Sequence, residues 1–394
     1  MTTVSLPLRR IAHFAYGSAL ADGVREAGSI PVFGSNGTVG WNDRANTRAP
    51  VIVIGRKGSF GKLQYSQVPV FAIDTTFFVD ASQTAANLRW LYYALQTMGL
   101  DSLSEDVGVP GLSRERVYQQ RLRLVPLPEQ RAIADYLDGE TAHIDALIEK
   151  KRRMVELLRE KRISLIADTI EGKVSTIDMP IARTAHRLRD IAIVTVSNVD
   201  KKSQDDDLPV RLCNYVDVYN NERITSDLPF MMSTATPEQV RQFHLHEGDV
   251  LVTKDSETAD DIAVPAYVAA EMPHVICGYH LAIVRPHAGV CGRYLFWALA
   301  SHGMRRYFSS MANGVTRFGL RQDVLAHASI SLPEPASQQA IAAYLDIQTT
   351  HIDALIAKYT RTTDLLAEYR KALITSVITG ESAVPLPAEE LVAA

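Results

Sequence analysis

The sequence of 394 residues predicts an α+β fold in which two mixed α/β domains are joined by two long antiparallel coiled-coil helices. A helical segment occurs twice, about 208 residues apart, and such internal repeats reveal tandem architectures. Each copy follows a region where short apolar runs alternate with turns, which is typical of strands. Two like halves paired through their helices are expected to be related by a pseudo-two-fold axis. The chain is therefore predicted to be a tandem duplication.

The repeated segment is aligned without a gap over residues 132–172 and 340–380, and more than half of its positions are identical. Ile-Ala-Asp-Tyr-Leu-Asp at 133–138 recurs at 341–346 as Ile-Ala-Ala-Tyr-Leu-Asp. His-Ile-Asp-Ala-Leu-Ile at 143–148 recurs unchanged at 351–356. Identity of this extent indicates duplication of one ancestral unit.

Each copy has the pattern of one long helix with a coiled-coil seam. The apolar residues near a 3.5-residue period in the first copy are Leu137, Ile144, Leu147, Ile148, Met154, Val155, Leu158, Leu165 and Ile166. The alternative is an amphipathic helix packed on its own domain, but two matching copies favour pairing with each other. Gly139 costs about 1 kcal/mol relative to Ala inside a helix. The helix is therefore expected either to continue through it or to restart with Thr141 as N-cap.

The first domain is predicted to contain short strands around a glycine-rich basic loop. A buried strand at Val51–Ile54 precedes Gly-Arg-Lys-Gly-Ser-Phe-Gly-Lys at 55–62. The other predicted elements are a strand and turn at 30–37, a strand at 71–79, a helix at 88–98, a loop at 108–112 and a strand at 122–125.

The second domain repeats this plan more loosely. A strand that runs into a polar loop is predicted at 248–256, and residues 277–284 take the place of 73–79. The helix at 293–299 corresponds to 89–95. The predicted boundaries are a first domain at 1–125, a helical region at 126–175, a second domain at 176–332, a second helical region at 333–384 and a tail at 385–394.

Composition bounds the compartment and the class of partner. Cys213, Cys277 and Cys291 lie far apart and form no CxxC pair, which favours a reducing cytosol. We find neither a signal peptide nor an apolar run of the roughly 18 residues that a membrane span needs, so a cytoplasmic location is expected. The net charge is −4, whereas residues 1–125 hold 13 basic and 9 acidic residues. A DNA-binding chain of this charge is expected to rely on partners for part of the positive field.

No catalytic motif emerges from the sequence. An Asn/Asp-Pro-Pro-aromatic motif of amino-methyltransferases is absent, and Leu63 after Gly61-Lys62 breaks the phosphate-binding loop pattern. His244 and His246 are two positions apart with no third metal ligand nearby, so we interpret them as surface histidines. The chain is predicted to have no catalytic residue, no cofactor and no metal.

Binding to DNA is the chemistry that the residues favour. Arg56, Lys57 and Lys62 stand among small residues that let a backbone approach phosphate, and arginine can read a guanine edge with two hydrogen bonds. The alternative for the basic loop of the first domain is a solvated surface loop without a ligand. The alternative for the candidates of the second domain is that they are ordinary surface or core residues. The aromatic side chains that would then belong to the core are Tyr215, Tyr219, Phe243 and Tyr279. The candidate DNA-binding residues are Ser35, Asn36, Arg56, Lys57, Ser59, Lys62, Arg211, Asn214, Tyr215, Lys254, Ser256, Tyr279, His280 and Arg317.

The chain resembles the specificity subunit of a type I restriction–modification enzyme over nearly its whole length. The resemblance depends on the helical copies, which start at Leu-Pro-Glu-Gln (127–130) and Leu-Pro-Glu (332–334), with Pro335, Ala336 and Ser337 inserted before Gln338 in the second. It also depends on motifs at 30–37, 55–61, 108–113, 212–219 and 253–256.

This resemblance implies two target recognition domains, each reading one half of a split, asymmetric double-stranded DNA sequence. It implies that the helices space the domains and dock two modification subunits, which bind S-adenosylmethionine and methylate adenine. Restriction subunits that hydrolyse ATP and cut DNA with magnesium would join the complex. The chain itself is then expected to be non-catalytic and cofactor-free. The alternatives are a coiled-coil scaffold that does not touch DNA and, less favoured, a self-contained modification enzyme.

Overall fold

The computed structural model describes residues 4–21, 28–104, 111–173, 182–201 and 207–384. The chain divides into two compact units, Met1–Arg152 with Thr360–Ala394 and Arg153–Tyr359. Each unit therefore contains one mixed α/β domain and parts of both long helices. Among the described residues, no helix is long and apolar enough to cross a membrane.

The described residues of the first unit form three sheets and two short α-helices. Its strands are β1 Val4–Pro7, β2 Ala15–Tyr16, β3 Ile30–Gly34, β4 Gly37–Asn42, β5 Val51–Gly55, β6 Leu63–Ser66, β7 Phe71–Ala72, β8 Thr76–Asp80 and β9 Arg121–Leu124, and its short helices are α1 Leu88–Gln96 and α2 Arg114–Gln119. The sheet orders are β2-β8-β5-β6, β4-β3-β7 and β1-β9. Central β5 is buried along its whole length, as its unbroken apolar run predicts.

The first long helix is α3, Leu127–Glu171, which continues through Gly139 without interruption. Thr141 is buried and its hydroxyl donates to the Leu137 carbonyl oxygen at 2.6 Å, so it lies inside the helix rather than at an N-cap. The predicted seam is buried at Leu137, Ile144, Ile148, Val155 and Ile166. The inclusion of Met154 in the seam was wrong, because neighbouring Val155 takes the inward position.

The second unit has the same sheet plan. Its strands are β10 Arg183–Arg187, β11 Ala192–Val196, β12 Leu208–Cys213, β13 Arg223–Ile224, β14 Met231–Ala235, β15 Val250–Thr253, β16 Asp255–Ser256, β17 Pro265–Val268, β18 Val275–Cys277, β19 Leu281–Pro286, β20 Phe318–Gly319 and β21 Ser329–Pro333. The sheet order β11-β19-β15-β17-β13 extends that of β2-β8-β5-β6 by one strand, and β14-β12-β18 matches β4-β3-β7. Duplication of the domains, and not only of the helices, is therefore visible in the topology.

The helices of the second unit complete the repeat. They are α4 Leu188–Ile191, α5 Tyr215–Asn220, α6 Pro237–Phe243, α7 Gly292–Ala300, α8 His302–Met311 and α9 Gln322–His327, and the second long helix is α10 Pro335–Thr379. In this second unit Arg162 of α3 binds Asp353 of α10, with Nε 3.0 Å from Oδ1. In the first unit Arg370 of α10 binds Asp145 of α3, with Nε 2.9 Å from Oδ1. The same two repeat positions are joined in both units, which confirms antiparallel pairing of the helices.

A buried glutamine sets the start of each long helix. Gln130 donates from Nε2 to the Val125 carbonyl oxygen at 2.8 Å and accepts from the Asn87 N–H at 2.7 Å. Gln338 makes the same two bonds, at 2.8 Å to Pro333 and 2.7 Å from Cys291. Both long helices begin at equivalent positions, Leu127 and Pro335, and the acceptors Val125 and Pro333 keep the same offset of 208 residues. The insertion predicted before Gln338 was therefore wrong, because the repeat continues without a gap into the preceding strand.

An aspartate on each long helix binds a short helix of the adjoining domain, α1 in the first unit and α7 in the second. Asp138 Oδ1 accepts from the Tyr93 hydroxyl at 2.7 Å and from the Arg89 guanidinium. Burial raises the pKa of Tyr93 to about 12, so its hydroxyl remains a donor at neutral pH. In the second unit Asp346 accepts at 2.8 Å from the Trp297 indole N–H. The helical repeat and its domain are thus joined by hydrogen bonds as well as by apolar contact.

The predicted single strand at 71–79 was wrong. Residues 71–72 form β7 in the three-stranded sheet, and 76–80 form β8 in the four-stranded sheet. A turn separates them, in which the N–H and the hydroxyl of Thr76 donate to the Ile73 carbonyl oxygen at 2.9 and 2.7 Å. The continuous apolar pattern hides this turn because both strands are buried.

Candidate nucleic-acid interface

The glycine-rich basic loop contacts the turn between β3 and β4. Lys62 Nζ donates to the Asn36 side-chain oxygen. Gly55 must lack a side chain, because a Cβ there would lie 2.3 Å from the Ser59 carbonyl oxygen and 3.0 Å from that of Ser35. Four of the predicted DNA-binding residues therefore share one surface. Three loop positions, Gly55, Ser59 and Lys62, follow the turn residues that they approach by 20 to 26 positions in sequence.

Arg56 and Lys57 continue from β5 and are held by the segment before α2. The Leu112 N–H donates to the Arg56 carbonyl oxygen at 2.9 Å, and Lys57 forms a β-bridge with Gly111. The backbone N–H of Arg56 donates to the carbonyl oxygen of Thr75 at 2.9 Å. The backbone is therefore fixed, and the two cationic side chains project from an ordered support. Residues 108–110 of the predicted motif lie outside the described residues.

Sequence reasoning missed two residues beside Arg56. The ring of Tyr16, which is 50% exposed, has Arg56 Cζ 5.2 Å and Arg114 Cζ 4.9 Å from its centroid. Within the part of the chain that the structure describes, the buried Nε atoms of both arginines have no hydrogen-bond partner. Two guanidinium groups around an exposed aromatic ring form a surface suited to phosphate and base edges. No sequence pattern joins positions 16, 56 and 114.

The equivalent loop in the second domain follows β15. Lys254 occupies the position equivalent to Arg56, because its backbone makes the equivalent hydrogen bonds. The Lys254 N–H donates to the His280 carbonyl oxygen at 2.9 Å, and the Leu320 N–H donates to the Lys254 carbonyl oxygen at 2.7 Å. Its Nζ lies 5.0 Å from the centroid of the exposed Tyr279 ring. Asp255 accepts from Lys254 and contacts His280 Nδ1, both at 2.5 Å. Lys254, Tyr279 and His280 are therefore brought together, with a largely covered ammonium group beside the exposed Tyr279 ring.

Tyr215, Ser256 and Arg317 lie beside that loop. Burial raises the pKa of the Tyr215 hydroxyl, and a hydrogen bond with Ser256 partly opposes the rise. Tyr215 stacks on Tyr219 with ring centroids 5.6 Å apart. Exposed Arg317 precedes Phe318, which pairs with Ser256 in the β16–β20 ladder. These side chains extend the surface around Lys254.

The remaining two candidates lie elsewhere or face inward. Arg211 lies on β12 with its guanidinium carbon 5.7 Å from the Phe230 ring centroid. Asn214 is only 8% exposed, and its side-chain amide donates to the Leu212 carbonyl oxygen at 3.3 Å. Of the suggested core aromatics, Phe243 is buried, whereas Tyr219 and Tyr279 are 42% and 45% exposed.

A carboxylate that is distant in sequence lies beside His244 and His246 in the fold. Glu271 comes 25 positions later than His246 in the sequence, yet its Oε1 lies 2.9 Å from His246 Nδ1. The fold brings the two loops together, and spacing along the chain cannot reveal that.

Comparisons with known proteins agree with this geometry. Residues 17–157 match the family model of the type I restriction modification DNA specificity domain. The EcoBI specificity subunit of a type I restriction enzyme from Escherichia coli is 23% identical over 129 residues, which are 32% of this chain and 27% of that protein. The match thus spans about a quarter of the curated relative.

Two solved structures share the fold over nearly the whole chain. The HsdS subunit from Thermoanaerobacter tengcongensis is 15% identical with a TM-score of 0.56, covering 96% of this chain and 97% of that one. A structure reported for complex assembly and conformational transition of the type I R-M system is 16% identical with a TM-score of 0.61, covering 96% and 95%. Together with the family match, these similarities confirm the resemblance to type I specificity subunits and the predicted fold.

Proposed function

We propose that this chain, which carries a type I restriction–modification DNA specificity domain in residues 17–157, is the non-catalytic DNA-recognition subunit of a type I complex. One observation carries the proposal: directly after the central strand, both domains place a cation at the same position, and in each domain an exposed tyrosine from a different element lies beside that cation. These are Arg56 with Tyr16 after β5 and Lys254 with Tyr279 after β15. Two duplicated domains that carry different cations at this equivalent position are suited to recognising two different DNA sequences.

Each domain would read one half of a bipartite, asymmetric target. Arg56 offers the planar fork that recognises guanine, whereas Lys254 is a point charge already engaged by Asp255. Lys57 and Lys62 are exposed and would contact phosphates, which position the protein without specifying bases. Different side chains at matched positions support an asymmetric target.

The long helices would act as the spacer and as the docking surface for two modification subunits. Large apolar side chains remain exposed along them and are available for contact with a partner protein. They are Met154, Leu157, Ile163, Ile347, Leu365 and Tyr369. S-adenosylmethionine would be bound by the modification subunits, and ATP and magnesium by the restriction subunits.

Exchange of the first domain tests the proposal. The chain is reconstituted with its modification subunits, and residues 1–125 are replaced by the matching domain of another specificity subunit. Mapping of adenine methylation should show a change in one half of the target and an unchanged second half. A change in both halves would contradict modular reading.

Two controls separate this function from the alternatives. A gel-shift assay with modification subunits present should show sequence-specific DNA binding, and its absence would favour a coiled-coil scaffold. Incubation of the chain alone with S-adenosylmethionine and DNA should give no methylation. Methyl transfer by the isolated chain would identify a self-contained modification enzyme.

A further inference from the structure

Two histidines and a glutamate converge at one edge of the second domain. His244 and His246 lie on the segment that joins α6 to β15, and Glu271 lies between β17 and β18. Glu271 Oε1 is 2.9 Å from His246 Nδ1 and 3.9 Å from His244 Nε2. One ligand atom from each residue falls within 4.8 Å of the other two. The DNA-binding candidates in this domain do not include any of the three.

The backbone presents both imidazoles on one face. His244 forms a β-bridge with Ile276, so residues 244–246 are extended and alternate side chains point the same way. Leu245 between them is fully buried and faces the core. The imidazole ring centroids consequently lie 4.7 Å apart. Convergence is thus a property of the strand-like backbone, not of two mobile side chains.

Further hydrogen bonds hold the supporting loops. The Glu247 N–H donates to Glu271 Oε2 at 3.1 Å, which leaves Oε1 directed at the histidines. The His246 N–H donates to buried Asp249 at 2.9 Å. Arg285 binds both Asp249 and the His244 carbonyl oxygen, each at 2.7 Å. Such outer contacts are those that orient ligands in metal sites.

The donor set and its spacing fit a first-row transition metal. Zinc binds imidazole nitrogen and carboxylate oxygen at roughly 2.0–2.2 Å, which places tetrahedral ligands about 3.4 Å apart. The two separations from Glu271, 2.9 and 3.9 Å, bracket that spacing, and all three ligand atoms lie within 4.8 Å of one another. Two nitrogens and one oxygen suit zinc rather than magnesium or calcium, which prefer oxygen ligands. His244 Nε2 also lies 3.1 Å from the Met272 carbonyl oxygen, so metal binding would replace one hydrogen bond.

We propose that His244, His246 and Glu271 form a zinc-binding site that clamps the loop after α6 to the loop between β17 and β18. The fourth coordination position would hold water. Such a clamp stabilises the folded second domain, because the metal binds the native arrangement and not the unfolded chain. The proposal is independent of DNA recognition.

Zinc titration of the untagged, full-length chain tests this site. After dialysis against a chelator, calorimetry should show one equivalent of Zn²⁺ bound by the wild type and not by the His246→Gln/Glu271→Gln double variant. A large excess of Mg²⁺ should not compete. His302→Gln, which changes an exposed histidine on α8, should retain wild-type stoichiometry.

Two further measurements guard against misfolding. Glu271→Gln alone keeps an acceptor for the Glu247 N–H and should still weaken zinc binding at least tenfold. Zinc should raise the Tm of the wild type and of His302→Gln but not that of Glu271→Gln. Equal zinc stoichiometry in the wild type and both cluster variants would overturn the proposal, as would equal loss of binding in His302→Gln.

Discussion

Arg56 provides the sharpest test of base reading, because its charge and its planar fork can be removed separately. Within the described residues, the guanidinium contacts the Tyr16 and Phe77 rings, at 5.2 and 5.9 Å, and forms no ion pair. Its removal therefore leaves no carboxylate unpaired. Arg56→Ala should weaken binding of the specific target by about 1–3 kcal/mol, roughly 5- to 150-fold in Kd, if the side chain reads a base.

Arg56→Lys keeps the positive charge and loses the bidentate geometry. We expect it to bind non-specific DNA like the wild type and to relax the sequence requirement in one half of the target. Lys57→Ala should instead weaken binding to all sequences and reduce the salt dependence by about one counterion. The assay is fluorescence anisotropy of the reconstituted complex on targets with single base changes, measured at several salt concentrations.

Lys254→Ala is the matched variant in the second domain, because Lys254 occupies the position equivalent to Arg56. It should relax only the other half of the target. Two results together would refute base reading by Arg56. Arg56→Lys would keep the sequence specificity of the wild type, and Arg56→Ala would weaken binding to all DNA sequences equally. Relaxation of the same half by both alanine variants would equally contradict one domain per half-site.

Two further predictions concern the helices. Insertion of seven residues after Glu156 preserves the heptad pattern of the seam and lengthens α3 by about 10 Å. The unread spacer in the methylated target should therefore lengthen by roughly 3 base pairs. Methylation at the original spacing with undiminished activity would show that the helices do not set the distance. Gln130→Ala leaves the Val125 carbonyl and the Asn87 N–H without their partner, which should cost about 2–6 kcal/mol of unfolding free energy at about 1–3 kcal/mol each. Urea unfolding measures the loss, exposed Gln119→Ala is the control, and a loss below the error of the control would contradict the role of the buried amide.

The long helices could be predicted from the sequence because the same apolar spacing occurs in both copies of the repeat. Identical positions at a 3.5-residue period indicated both the seam and the antiparallel partner, and the Asp145–Arg370 contact agrees with that pairing. Periodicity does not distinguish adjacent apolar positions at the middle of a seam, which is why Met154 was assigned inward instead of Val155 alone. The error is one residue in register, not in the nature of the element.

The candidate interface could be predicted only where its residues are neighbours in sequence. The basic loop at 55–62 is continuous, so its composition revealed it. Tyr16 and Arg114 reach Arg56 only through strand pairing and the packing of α2, and Glu271 reaches His246 only through two adjoining loops. Such contacts depend on tertiary structure that local pattern does not encode.

The first compact unit is built from two segments, 1–152 and 360–394, that are translated far apart in time. Ile374, Val377 and Ile378 of α10 belong to the same apolar core as Ile133 and Leu137 of α3. A ribosome releases the second unit's residues before it supplies that last helical segment. The first domain therefore emerges before the second and completes its apolar core only after residues 374–378 have been translated.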